Sequence, residues 1–292
     1  MNGVLIATIA GLLTAFCWGT SDYLSARSTR KLNPFQINFT VQVSSLLLVA
    51  IFFAVSGLHL HMASEFIRIV ISSLVLSTGY IIFVQALSGG VVGIIVPLGN
   101  IYPLFTILLA IAFLHVHFTL LQMFALLAIV LGAMVLAYEK NHKKIPLREL
   151  HRKTFLALIA AVVWGIGFFI VSPVTQTVSW QSIAVVSEGT ALVLSVALLL
   201  WAARGQVQQQ FQQSLTASSW PWVIGIFGEV GLVSLYIGSA HAHSVVIPAV
   251  LSACGPLVAS VWGAIFDHER LGYLKRMGAI ITIAGIIILN VG

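Results

Sequence analysis

Charge is what this sequence has least of. Only 8% of its 292 residues are charged, against 59% hydrophobic, and its mean hydropathy is +1.05. So few charges cannot coat a water-soluble domain of this length, which excludes an ordinary globular protein. Cysteine is nearly missing too: Cys17 and Cys254 both fall inside apolar runs, so no disulfide framework is indicated. There is no Walker-type phosphate loop, which removes a self-contained ATP-driven pump. The stretch "FDHERLG" holds His-Glu without a second histidine at zinc-protease spacing, so that chemistry fails as well. Met1 to Val4 carries no basic residue and the apolar run that follows is long, so the first helix is expected to stay rather than leave as a cleaved signal.

What is present is a series of apolar runs of about 20 residues, the length at which a helix crosses a hydrocarbon core of about 30 Å. Ten can be placed, approximately at 3–24, 35–56, 66–88, 91–113, 118–138, 154–173, 181–202, 220–240, 244–266 and 273–291. The runs are continuous rather than alternating, and a helix satisfies its own backbone in lipid, so the expectation is an all-α polytopic membrane protein rather than a barrel. Lysine and arginine accumulate in cytoplasmic loops. Thirteen of the fourteen lie on one face, in the loops after odd-numbered spans, with Arg68 alone opposite. Both termini are therefore expected outside and the basic 139–153 segment inside, in a multi-pass cell-membrane protein; the +6 net charge serves topology rather than nucleic acid.

The chain also repeats itself. The 34-residue stretch from Pro103 aligns without a gap on the one from Pro256, setting Phe113 over Phe266, His115 over His268, Leu121 over Leu274 and Gly132 over Gly285. "FCWGT" (Trp18, Gly19) answers "VVWGI" (Trp164, Gly165), and Pro97 answers Pro248. This divides the chain into a first five-helix repeat, 1–138, a basic linker, 139–153, and a second repeat, 154–292. Five is odd, so the copies enter the membrane in opposite orientations, and the charge bias of corresponding loops reverses accordingly. Two inverted five-helix repeats are the sequence sign of a secondary transporter with a midplane site at the repeat interface.

Ten spans, a Trp-Gly in the first helix of each half, a proline in the fourth, Glu269 after the ninth and a glycine in the last resemble the EamA-type members of the drug/metabolite transporter superfamily. One departure is Val116, which stands where the second repeat has Glu269. The resemblance implies a cavity lined by the first, third and fourth helices of each half and opening alternately to either side, without covalent chemistry or cofactor. It also implies export of amino acids or related small metabolites; sugar uptake and cationic drug efflux are the alternatives, and a membrane-embedded enzyme is the rival of another class. Polar and aromatic candidates in those helices are Trp18, Asp22, Tyr80, Asn100, Tyr102, Trp164, Glu229 and Tyr236. Pro97 and Pro248 would bend their helices and free carbonyls; the plain alternative is a packing kink.

Glu229 sits almost at the centre of its span. A carboxylate at midplane costs roughly 3 kcal/mol on insertion scales, so it should face a wet cavity or hold a proton. Either state suits proton coupling or a cationic substrate; the ordinary alternative is helix glue. Glu188 is a second intramembrane carboxylate suited to coupling, though its place a third of the way from the outer end lets it reach interfacial water. Asp22, near the cytoplasmic end of the first helix, is expected to pair with Arg27 or line an inner gate. Glu269 reads as a loop anchor. Three His-x-His pairs (His59 with His61, His115 with His117, His241 with His243) all face outside and could approach a metal in extended loops; unrelated polar loops explain them more simply, since no cysteine or carboxylate consistently completes a site. Val207, Phe211 and Leu215, spaced by four, suggest a short amphipathic helix on the inner surface; a disordered polar linker fits the segment as well. No oligomeric state can be read.

Overall fold

A computed structural model describes residues 3–56, 65–88, 92–114, 119–137, 146–203, 205–242, 245–268 and 272–291. The described residues are overwhelmingly helical. In chain order the helices are α1 (Gly3–Ser28), α2 (Pro34–Ser56), α3 (Phe66–Leu87), α4 (Val92–Gly99), α5 (Tyr102–Leu114), α6 (Leu120–Ala137), α7 (Leu147–Val171), α8 (Trp180–Ala203), α9 (Val207–Thr216), α10 (Trp220–Ala242), α11 (Val246–Ser252), α12 (Gly255–Phe266) and α13 (Tyr273–Val291). Eight segments are long and apolar enough to cross a membrane, with α4–α5 and α11–α12 each counting as one. The stretches expected as the remaining two spans form the helices α6 and α13, which pack on each other. Side chains such as Leu108, Phe113, Phe124, Val193 and Trp201 stay exposed on the outer faces, which suits contact with lipid rather than water.

The fourth and ninth spans are each broken once, at corresponding places. α4 ends at Gly99 and α5 starts at Tyr102; α11 ends at Ser252 and α12 starts at Gly255. The interruption falls after Pro97 and Pro248, and a different pair of prolines accounts for it. Pro103 and Pro256 have no N–H to offer the carbonyls of Gly99 and Ser252, four residues back, and their rings crowd those carbonyls. The chain crosses each gap with tighter three-residue bonds, Leu104 N–H to Ile101 O at 2.9 Å and Leu257 N–H to Cys254 O at 2.9 Å. Pro97 is carried inside α4, and Pro248 packs under Gly11, where a methyl group would lie 2.9 Å from its Cα.

Packing is reciprocal between the halves. α1 packs on α10, α11 and α12, while α7 packs on α3, α4 and α5; α2 meets α8 and α10, and α3 meets α8. Between these helices hydroxyls act as glue, with Ser44 donating to Trp222 O at 2.6 Å and Ser72 to Gly167 O at 2.9 Å.

Three details around Lys153, α9 and Arg27 differ from the sequence reading. α7 begins at Leu147, so the end of the 139–153 segment is already helical, and Lys153 is buried with Nζ donating to Gln85 O at 2.7 Å and to Ser88 O, the last carbonyls of α3. The short α9 exists and docks on α2 through both polar and aromatic contacts: Gln36 donates to Gln210 at 2.8 Å, Thr40 donates to Ser214 O at 2.6 Å, and Phe211 meets Phe39 edge-on with ring centroids 4.8 Å apart, while Val207 and Leu215 are exposed. Arg27 pairs with Asp267 at 2.5 Å rather than with Asp22, because Asp267 is brought beside it from the end of α12 and also accepts from the Tyr23 hydroxyl at 2.9 Å.

Candidate functional site

A cavity of ≈ 160 Å³ lies between the halves. Its walls come from α1, α2, α3, the α4–α5 break, α7, α8 and α10. This size suits a small metabolite, not a macromolecule. The structure brings together Trp18, Asp22, Tyr80, Asn100, Tyr102, Trp164, Glu188, Glu229 and Tyr236 around it. Pro97 and Pro248 do not line it. Of the six paired histidines only His241 is described; its Nδ1 lies 2.8 Å from Ile237 O, and His59, His61, His115, His117 and His243, like Glu269, lie outside the described residues. Among the described residues no three His, Cys, Asp or Glu side chains converge as a metal site.

The repeated Trp-Gly has a structural role in each copy. Trp18 donates its indole N–H to Gly228 O on α10 at 3.1 Å, and Trp164 donates to Leu76 O on α3 at 3.1 Å. Each ring lies against a glycine of the opposite half: a methyl group on Gly231 would be 2.6 Å from Trp18 Cδ1, and one on Gly79 would be 2.6 Å from Trp164 Cδ1. The glycine of each motif clears the way for the other half's broken helix. A methyl on Gly165 would sit 3.1 Å from Tyr102 O, and one on Gly19 would collide with Gly255 O. Both motifs therefore lock the first helix of one half to the third and fourth spans of the other.

These locks build an aromatic wall. Trp18 lies 5.7 Å from Phe168 and 6.2 Å from Tyr102 by ring centroids, and Tyr102 lies 5.0 Å from Phe168 and 6.2 Å from Trp164. The Tyr102 hydroxyl is held by Ser252 Oγ and by Ala249 O on α11, fixing the ring at the break.

Charge on the cavity is of one sign. Asp22, Glu188 and Glu229 line it, and no lysine, arginine or histidine does among the described residues. Asp22 accepts from Asn100 Nδ2 at 3.0 Å, and the same amide group donates to Val96 O at 2.9 Å. Glu188 is 6% exposed on α8 and faces Glu229, which is 2% exposed. Neither carboxyl makes a hydrogen bond of ordinary geometry, and Glu188 Oε2, Glu229 Oε1 and Glu229 Oε2 are buried without a partner. Two facing carboxylates in such surroundings call for positive charge between them, whether a proton or a cationic group.

Sequence reasoning missed α2 and α8 as walls, and with them Gln42, Ser45 and Ser187, together with Ser73 and Ser77 on α3. A signal was available for part of this: Ser73, Ser77 and Tyr80 follow the i, i+4, i+7 spacing of one helix face, a polar stripe on an otherwise apolar span.

Comparison with known proteins agrees with this architecture. A curated relative, an uncharacterized transporter from Archaeoglobus fulgidus, is 21% identical over 98% of this chain and 98% of its own length. A solved crystal structure at 16% identity superimposes with a TM-score of 0.73, covering 98% of this chain and 96% of the other, which shows the shared fold. The model for the EamA-like transporter family matches residues 5–138 and 152–291. With almost the whole chain matched, this protein belongs to the EamA-like transporter family.

Proposed function

We propose that this multi-pass membrane transporter is a secondary carrier that works by alternating access and exports small amine-bearing metabolites, amino acids and related compounds first. One observation carries the reading: a buried, aromatic-walled cavity holds three carboxyl groups and no basic side chain among the described residues. Carboxylates at this depth are costly unless neutralised, and a solute's ammonium group supplies the missing charge. Its apolar part then meets Trp18, Tyr102 and Phe168, where ring faces favour a nearby cation as well as hydrocarbon.

Proton coupling through Glu229, with Glu188 as its partner, follows from the same charge balance. The pair needs a positive charge when the solute is bound and again when the empty carrier returns, so a proton takes the place that the amine leaves. Amine and proton then compete for one site, which converts a proton gradient into solute movement. Two halves of opposite orientation meeting at the cavity supply the two access routes, in keeping with their reciprocal packing and with the reversal of loop charge.

The test compares intracellular and extracellular metabolites in cells holding the wild type, Glu229→Gln or an empty vector at equal membrane levels, followed by the identified solute in proteoliposomes under an imposed pH gradient. The wild type should accumulate the solute against its gradient while Glu229→Gln does not. Equal accumulation and equal pH dependence in the two would remove Glu229 from coupling, and a solute bearing no amine would overturn the substrate class.

A further inference from the structure

The acidic groups are not gathered at one point. Three contacts set α1 against α10 in antiparallel register: Thr14 Oγ1 donates to Gly231 O at 3.0 Å, Trp18 Nε1 to Gly228 O at 3.1 Å, and Ser21 Oγ lies 3.4 Å from Ile224 O. Asp22 therefore lies at the level of Ile224, five residues from Glu229 along α10. At 1.5 Å per residue this separates the backbone positions of the two acidic residues by about 7 Å along the helix axis. The gap is spanned by aromatic rings, with Trp18 one turn from Asp22 on α1 and Tyr102 and Phe168 packed beside it.

The two poles differ in what they still need. At the first, Asp22 is oriented by Asn100, its one described hydrogen-bond partner, and its carboxyl group lines the cavity. At the second, the partnerless buried atoms are Glu229 Oε1 and Oε2, Glu188 Oε2, Gln42 Oε1 and the Tyr236 hydroxyl, with Gln42 itself 8% exposed on α2. A side-chain carbonyl and ionised carboxylates are acceptors, and the single Tyr236 hydroxyl cannot serve four such oxygens, so the ligand must bring donors, and an ammonium group brings three. A monoamine satisfies one pole and leaves the other uncompensated. A linear molecule with an ammonium at each end and a methylene chain between satisfies both, its chain lying along the aromatic wall.

We infer that the cavity is a two-pole site for aliphatic diamines, one ammonium held by Asp22 and the other by Glu229, Glu188 and Gln42. This rests on the amine-transport reading and narrows it. A chain of about four to six carbons bridges poles set about 7 Å apart. Shorter diamines reach one pole only, and longer ones must fold inside the cavity.

The inference is tested on the full-length protein in lipid nanodiscs by calorimetric titration with two series, 1,n-diaminoalkanes of three to ten carbons and n-alkylamines of the same lengths. The expected result is a diamine optimum at four to six carbons, bound roughly tenfold or more tighter than the monoamine of equal length, the scale of losing one buried charge partner. Asp22→Asn should remove the diamine's advantage, so that diamine and monoamine of equal length bind that variant alike, and Glu229→Gln should weaken both series. Equal binding of the two series, or affinity climbing steadily with chain length and no optimum, would overturn the two-pole site and leave amine transport standing. Failure of every amine to bind, with another solute class accumulated by the same protein, would overturn both. The chain-length series needs only the wild type, so it decides the matter even where a variant does not fold.

Discussion

Gly231→Ala tests the Trp-Gly lock by adding a single methyl group. That methyl would lie 2.6 Å from both Cδ1 and Nε1 of Trp18 and 3.1 Å from Cys17 Cβ. Ordinary carbon contacts are about 3.5–4.0 Å, so the indole must retreat by about 1 Å. Its N–H is tied to Gly228 O at 3.1 Å, one turn away on the same helix, and a retreat of that size takes the bond beyond hydrogen-bonding distance. Overpacking and loss of that bond overlap, and together cost about 2–4 kcal/mol. In detergent the melting temperature should fall by roughly 5–10 °C for a chain of this size. Gly228→Ala is the internal control, because nothing lies within 4 Å of a methyl placed there. It should leave melting unchanged while reducing transport, since the added group projects into the cavity. Gly79→Ala should repeat the Gly231→Ala result through Trp164, whose Cδ1 would be 2.6 Å from the new methyl. Replacing Trp18 by Phe in the Gly231→Ala background should relieve the crowding, which a double-mutant cycle reads as coupling. Equal melting of Gly231→Ala and Gly228→Ala would refute the lock.

Other consequences concern Lys153 and the Arg27–Asp267 pair. Lys153→Met removes the ammonium that caps the last carbonyls of α3 and should cost about 1–3 kcal/mol, with faster amide exchange at the end of α3 as the local readout. At Asp267, partial burial pushes the carboxyl pKa up, but the Tyr23 hydroxyl and the Arg27 guanidinium outweigh it and hold the pKa below the usual carboxylate value. A depressed pKa contributes stability above the unfolded value of about 3.9, lost as pH falls through the folded value. Stability of the wild type should therefore drop below about pH 4 by more than that of Asp267→Asn. At neutral pH Arg27→Ala should cost under about 1 kcal/mol, because the pair is partly exposed and screened. A larger loss in a neutral-pH melting curve would mean that the pair does more than tie α1 to the end of α12.

Much of the fold was readable before any coordinates. A span must be apolar for about 20 residues because lipid offers no partner to its backbone, so the eight long segments follow from local composition, and the repeat was visible as aligned residues. The helix breaks were half legible: prolines marked the fourth and ninth spans, but Pro103 and Pro256, rather than Pro97 and Pro248, sit where a missing N–H opens the ladder. Intramembrane carboxylates were conspicuous because they are costly, which singled out Glu229 and Glu188. Their meeting was not legible, since it depends on how α8 and α10 are rotated about their axes, and a uniformly apolar helix carries little periodic signal to set that rotation. The same holds for Asp22, whose partner Asn100 is 78 residues away, and for Trp18, whose hydrogen bond and packing glycine are more than 200 residues along the chain. Composition decided that this protein lives in a membrane as a bundle of helices, because each span satisfies its own backbone without reference to its neighbours. Tertiary packing alone decided which polar groups face one another across the cavity, because those contacts join residues far apart in the chain through helix rotations that no single span encodes.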